Sequence, residues 1–485
     1  MREVTGRMSG GSNRHALAWG LLLFLVMIQV ALFLPGIRQS ADDAGTTMLY
    51  LEGWKATWAQ GVGVAHEHGR IGMYVLAPIN AFAAFWSAQP WAQAGFIALH
   101  FLVMGMFSRW AAFWFGRNTG FFLAVVLVAV HPLTFEHMPP NAYPLQNTVP
   151  FLLLLCARVW SLHLAARASP ADHGLSRWLA RGLFFLGLLF NEYALVFGAS
   201  LVAMEMWLSV RDLAWLGGKG VARRQMWQRH GDCIVALMLA LFVYLAYRWL
   251  YPSHYDGNVP DGVTHLSRWA RTTFGHMLAG TMLVRLDSSA LRLPLAGWIV
   301  GLLFACAAGL AARGIRWQAD GRKPGVADVA FALLLAIFVV MPVTSTLKQQ
   351  SWCVDHRVCG FLDSRVAYLW IVLACVLALG MAARAVWGRI SPNMLARVTA
   401  LGVAAAAFIT FGYNWRISGQ MAAASEPWRR ADALACDLAP LSPVRGRIDP
   451  QNVVVMHPDV DPEAYWKRYT ALQGKRRGCL DVSAP

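Results

Sequence analysis

Two adjacent carboxylates, Asp42 and Asp43, follow the first long apolar run of the chain, in Gln39-Ser40-Ala41-Asp42-Asp43-Ala44-Gly45. Neighbouring aspartates repel. Beside a low-dielectric boundary one of them is pushed toward its protonated form unless a cation, a metal or a reacting proton offsets the charge. That is general-base or metal-binding chemistry; the plain alternative is a solvated pair capping the next helix. The same stretch runs on to Glu67, His68, Gly69 and Arg70. His66-Glu67-His68 alternates like a two-histidine ligand face. No further His or Cys follows at ligand spacing, so a surface cluster is the simpler reading.

Further along, Glu192 stands in the apolar run Phe190-Asn191-Glu192-Tyr193-Ala194-Leu195. A carboxylate in such a run costs about 2.5–3.5 kcal/mol on insertion scales, so it must face a cavity or a partner, or bond across to another helix. His131-Pro132 with Glu136 closes another apolar run, where a proline also simply ends a helix. Lys348 and Arg365 flank a late polar stretch, and Arg365 opens an apolar run through Val366, Ala367 and Tyr368. A cation at a helix start opposes the helix dipole, which points to an anionic partner such as a phosphate, with snorkelling as the alternative. No Gly-rich phosphate loop, nucleophile elbow or Cys-x-x-Cys pair occurs.

What must position these residues is a membrane bundle. The 485 residues are 57% hydrophobic and 14% charged, with a mean hydropathy of +0.44, more apolar than a soluble core can hide. The net charge of +16 is not a nucleic-acid footprint, because the cations sit in short segments between apolar runs. The expected fold is an all-α polytopic membrane protein of about eleven transmembrane helices, surrounded by membrane lipid. The spans are read at 16–34, 93–107, 121–135, 148–166, 182–191, 193–210, 233–251, 295–312, 326–342, 366–383 and 398–411. The first is an uncleaved signal anchor with a cytoplasmic N-terminus.

The apolar segment 71–88 is read as re-entrant or interfacial. As a full span it would carry Arg109, Arg117, Arg167, Arg177 and Arg181 to the outer side, against the positive-inside rule. Asp42, Asp43, His131, Glu192, Lys348 and Arg365 then share the outer, periplasmic side of a bacterial inner membrane. Residues 1–415 form the membrane domain, with its first outer loop at 36–70. Residues 416–485 form a small periplasmic αβ appendage, strand-like at 452–456 and helix-like at 462–472. Cys353 with Cys359, and Cys436 with Cys479, are disulfide candidates, and a crossed pairing stays open. Cys156, Cys233, Cys306 and Cys375 fall in spans and act as small apolar residues.

The ordered set Asp42-Asp43, Gly69-Arg70, His131-Pro132 with Glu136, Asn191-Glu192 and Arg365 with Tyr368 resembles the GT-C superfamily of membrane glycosyltransferases. The likeness is to the branch of protein O-mannosyltransferases and related bacterial enzymes. Asn191, Ser364 and Val366 stand where that family keeps a lysine, an acidic residue and a tyrosine. The resemblance implies a GT-C-like bundle that moves a sugar, with inversion, from a polyprenyl-phosphate donor to a hydroxyl of a lipid, glycan or protein acceptor. Asp42 is implied as the base, with Asp43 on the acceptor or on a divalent cation such as Mg or Mn. Arg70, Glu192, Lys348, Arg365 and Tyr368 are implied on the donor phosphate or substrate. Two other classes fit a polytopic chain: a lipid-linked glycan flippase or transporter, which would show internal repeats, and a polysaccharide polymerase or ligase, which would lack the acidic pair.

Overall fold

Long apolar runs have one open-ended way to satisfy their backbone groups in a hydrocarbon layer, the α-helix. The computed structural model describes residues 9–35, 41–133, 143–166, 174–215, 219–255, 259, 266–284, 292–313, 323–355, 359–386, 389–434, 468 and 471–472. In chain order the helices are α1 (Ser9–Phe33), α2 (Ala41–Glu52), α3 (Trp54–His68), α4 (Met73–Trp86), α5 (Pro90–Phe115), α6 (Arg117–Ala129), α7 (Thr148–Ala166) and α8 (Gly174–Leu189). There follow α9 (Glu192–Trp215), α10 (Lys219–Leu250), α11 (Leu266–Ala279), α12 (Leu295–Arg313), α13 (Val326–Thr344), α14 (Leu347–Gln350), α15 (Leu362–Ala385) and α16 (Pro392–Leu434). No β-strand occurs among the described residues.

Nine of these helices, α1, α5, α7, α9, α10, α12, α13, α15 and α16, are long and apolar enough to cross a membrane. The expected spans at 121–135 and 182–191 fall on the shorter helices α6 and α8. At 1.5 Å per residue α6 rises about 20 Å and α8 about 24 Å, short of a hydrocarbon core of about 30 Å. The chain does break between α8 and α9. There the Asn191 side chain accepts the Ala194 backbone N–H at 2.7 Å as an N-cap, and Glu192 sits in the first turn, where the helix dipole favours an anion.

Helix α15 is apolar on every side, and a helix of that kind belongs in the middle of a bundle. Of its span, 72% is buried. Trp370 packs edge-on against Phe107 and Trp110 of α5 and donates to Ser200 Oγ of α9 at 3.1 Å.

The connections gather at two ends. At one end, Asn191 donates to the Gln146 carbonyl at 3.0 Å, the His254 N–H donates to the Glu67 carbonyl at 3.0 Å, and Arg365 donates to the Pro132 carbonyl at 3.0 Å. At the other lie the Arg109–His163 contact, the Arg181–Asp232 ion pair and Arg211, bonded to Asp328 and to the Lys323 carbonyl. Helix α4 starts and finishes at the first end. Its N-cap Gly72 lies against Phe190, and farther along Asn80 donates to Gln146 Oε1 at 3.0 Å. Its fourteen residues rise about 21 Å.

The joint between α3 and α4 is built on glycine. Gly69 has φ +61 and caps α3, and a Cβ there would lie 2.6 Å from the Tyr251 carbonyl oxygen. At Gly72 the conformation is helical but a Cβ would sit 1.8 Å from the Phe190 carbonyl oxygen. Gly72→Ala is therefore expected to destabilise the protein by about 1–3 kcal/mol or more, since one backbone must move away from another. Gly105→Ala, with nothing within 4 Å of its Cβ, is expected to be neutral or slightly stabilising. Thermal unfolding of the solubilised protein compares the two, and equal midpoints would contradict the wedge.

The last helix also departs from expectation. It runs past Phe411 to Leu434, because Tyr413, Ile417 and Met421, spaced four apart, continue a buried stripe. The boundary drawn at 415/416 falls inside it. The strand-like 452–456, Cys436 and Cys479 lie outside the described residues. In the helix-like 462–472, Arg468 pairs with Glu52 of α2.

Candidate functional site

The end where α3 meets α10 carries a bowl of cations and rings. Arg70, just past the α3 cap, faces Glu192 at 3.4 Å. This is ion-pair distance without hydrogen-bond alignment, and the two side chains are 31% and 37% exposed. Such a pair by itself contributes only about 0–1 kcal/mol. Lys348, on the short helix α14, donates to the Tyr255 hydroxyl at 2.7 Å. Its ammonium also lies 4.9 Å from that ring's centroid and 5.0 Å from that of Trp352. Because it is bonded at the phenol's edge, hydrogen bonding rather than the face of the Tyr255 ring holds it there.

Two histidines line the bowl. His66 stacks on Tyr251 at 4.1 Å and bonds the Tyr74 hydroxyl at 2.9 Å, while His68 stacks on Tyr255 at 4.4 Å. Burial first, then the Arg70 guanidinium, hold the His68 imidazole below its ordinary pKa. The backbone of Glu67 meets His254, but its side chain is exposed.

Two residues expected at the donor phosphate, Arg365 and Tyr368, are bonded elsewhere. Arg365 is 5% exposed, and its guanidinium bonds the Pro132 carbonyl and His131 Nδ1, the latter at 3.1 Å. A guanidinium only donates, so Nδ1 accepts and the proton of His131 is on Nε2, which reaches His100 Nε2 at 2.9 Å. Tyr368 donates to the Leu127 carbonyl at 2.7 Å. These residues clamp the bend after α6 onto α15. Asn414 closes the clamp: it donates to Gln29 Oε1 and to the His131 carbonyl and accepts the Leu133 N–H.

Asp363, two residues before Arg365, is fully buried and pairs with His276 of α11 at 2.9 Å. Cys353 and Cys359 form a disulfide that packs against Gly275 of the same helix. Glu136 lies outside the described residues. Asp42 and Asp43 are in the first turn of α2, a helix that packs on α3 and α4, and their side chains lie outside what is described.

A charge cluster the sequence reading passed over lies among α5, α7, α9 and α10. Glu205 accepts from Trp110 Nε1 at 2.8 Å and from Arg158 Nε at 3.1 Å, pairs with Arg158 through its other oxygen, and faces His230 at 3.3 Å. Ser209 reaches the far side of His230 at 2.9 Å, and Arg158 also bonds the Cys233 sulfur, so Cys233 is more than an apolar filler. The signal was present: Arg158 and Glu205 are opposite charges inside apolar runs, and intramembrane charges seek one another.

Among the described residues no three His, Cys, Asp or Glu side chains gather as metal ligands. The cations Arg70 and Lys348 at the bowl repel a dication and favour an anion. No protein-family model, curated protein or solved structure matches the chain.

Proposed function

We propose that the chain is an inverting glycosyltransferase that moves a sugar from a polyprenyl-phosphate donor to a hydroxyl of a lipid, glycan or protein acceptor. It would work at the periplasmic face of a bacterial inner membrane, with the N-terminus cytoplasmic. One observation carries this reading: Arg70 and Lys348 meet among aromatic rings at one end of a membrane bundle, while Arg109, Arg181 and Arg211 mark the other. The end marked by Arg109, Arg181 and Arg211 is read as the cytoplasmic one by the positive-inside rule. The bowl then faces out, where a lipid-borne phosphate meets two cations and a sugar ring meets flat aromatic faces.

The chemistry follows from those groups and from the acidic pair. Lys348 and Arg70 hold the donor phosphate. Asp42 takes the proton of the acceptor hydroxyl, and Asp43 orients that hydroxyl. The acceptor oxygen attacks the anomeric carbon opposite the phosphate. As the new C–O bond forms, the bond to the phosphate oxygen breaks with its electron pair, and the configuration inverts. A divalent cation, if bound by the acidic pair, would add Lewis-acid help; none of these steps requires it. Arg365 and Tyr368 fix the bend at Pro132.

Purified protein given a polyprenyl-phosphate sugar and a hydroxyl acceptor is expected to transfer the sugar. Lipid scrambling without transfer would mark a flippase, and activity confined to lipid diphosphates a polymerase or ligase. Lys348→Ala is expected to weaken donor binding about ten- to a hundredfold, the equivalent of one charge-assisted hydrogen bond. Unchanged donor affinity would remove the phosphate from this bowl.

A further inference from the structure

We infer that the Tyr255 hydroxyl donates a hydrogen bond to the phosphate of the lipid donor and tightens it as that phosphate departs, an assignment that rests on the transferase reading above. The geometry begins with Lys348. Its ammonium donates to the Tyr255 oxygen at 2.7 Å, and an ammonium has no lone pair to accept with. The phenol oxygen is therefore the acceptor, and its own proton is left to point at something else. That proton is polarised by the cation behind it, which makes the hydroxyl a stronger donor.

The ring is held on several sides. His68 stacks on it at 4.4 Å with planes 19° apart, and the Arg70 guanidinium lies 5.7 Å from its centroid. The Tyr255 backbone N–H donates to Ser253 Oγ at 3.3 Å. With Lys348 and Arg70 on either hand, the acceptor that suits this proton is an anion. Of the described carboxylates beside His68, Glu192 already faces Arg70 and Glu67 is exposed.

The reaction supplies the reason for a neutral donor here. The lipid-linked sugar is a phosphodiester with one negative charge. When the anomeric C–O bond breaks, its electron pair stays on the phosphate oxygen, and the departing monoester gains a second charge. The acceptor's proton goes to Asp42, so Tyr255 keeps its own. A fixed O–H aimed at that oxygen is worth more once the charge has grown, and such a contact accelerates the chemical step instead of only tightening binding.

The test is Tyr255→Phe, which keeps the ring, its stacking on His68 and its place beside Arg70. Two measurements are needed: binding of polyprenyl phosphate and of the matching polyprenol to the full chain in nanodiscs, and single-turnover sugar transfer. The variant is expected to bind the monoester about tenfold more weakly, to bind the polyprenol unchanged, and to transfer sugar about 30- to 100-fold more slowly, with its thermal midpoint and the Cys353–Cys359 bridge intact. Wild-type values in both assays would overturn the Tyr255 assignment while leaving the transferase reading in place. A phosphate affinity that depends on Tyr255, in a protein that transfers no sugar, would keep the phosphate site and overturn the transferase reading. Equal loss for monoester and polyprenol would make Tyr255 a lipid-packing residue and overturn the assignment.

Discussion

Asp42→Asn is expected to slow sugar transfer by about 10²–10⁴-fold while the lipid donor still binds, because only the proton acceptor is lost. Asparagine has the size of aspartate and can keep a hydrogen bond to the acceptor hydroxyl, but it cannot take the proton. In the proposed reading the donor phosphate is held by Lys348 and Arg70, on other elements, so affinity and rate should separate. Donor binding by titration and transfer under single-turnover conditions measure the two quantities independently. A folded Asp42→Asn protein that binds donor and transfers at the wild-type rate excludes Asp42 as base. If Asp43→Asn alone is inactive, the roles within the pair are exchanged. If neither matters, the pair is the helix start that the plain reading makes of it, and the transferase proposal loses its base.

The second large effect concerns stability. Glu205→Leu leaves Arg158 and His230 in a fully buried site without their carboxylate, and removing one partner of a buried ion pair costs about 3–5 kcal/mol. The Arg158 side chain is 3% exposed and Glu205 0%, so water cannot replace what is lost. Replacing both, as Arg158→Met with Glu205→Leu, should recover most of the loss, since matched apolar groups of similar volume are often no worse than the pair they replace. Thermal unfolding in nanodiscs reads the difference. A single variant as stable as wild type, or a double variant worse than the single, would contradict this account. Donor affinity of the folded protein should not change in either case, since the cluster lies toward the end away from the bowl.

The sequence carried much of this arrangement and hid some of it for definable reasons. Glu192 was singled out as a carboxylate in an apolar run, Lys348 as a cation flanking a late polar stretch and Arg70 through the family resemblance, and the fold brings Arg70 to Glu192 and, through Tyr255, to Lys348. Tyr255 itself was invisible, because a tyrosine in a polar stretch after a span has no pattern until Lys348 and His68 come from distant elements. Asn191 was compared with a family lysine, when an Asn just before an apolar run is an ordinary helix cap. The intramembrane cost argument was applied to Glu192, which is at a helix start and partly exposed. It belonged to Glu205, which is fully buried. The end of α16 was misjudged because span length was allowed to set the boundary, although Tyr413, Ile417 and Met421 kept the helical period.

The clamp around Asn414 has a consequence for how the protein is made. Gln29 and Asn414 are 385 residues apart in the chain, yet each satisfies the other inside an apolar interior where an unmet amide is costly. The ribosome delivers the first helix long before the last, so the Gln29 nitrogen meets the Val128 carbonyl of α6 at 2.8 Å well before its oxygen can meet Asn414. The bend at His131 is held first by Arg365 and Tyr368 of α15, and the final helix adds Asn414 to the His131 carbonyl and the Leu133 N–H. A chain cut before Asn414 would therefore leave the Gln29 side-chain oxygen without this donor in the apolar interior.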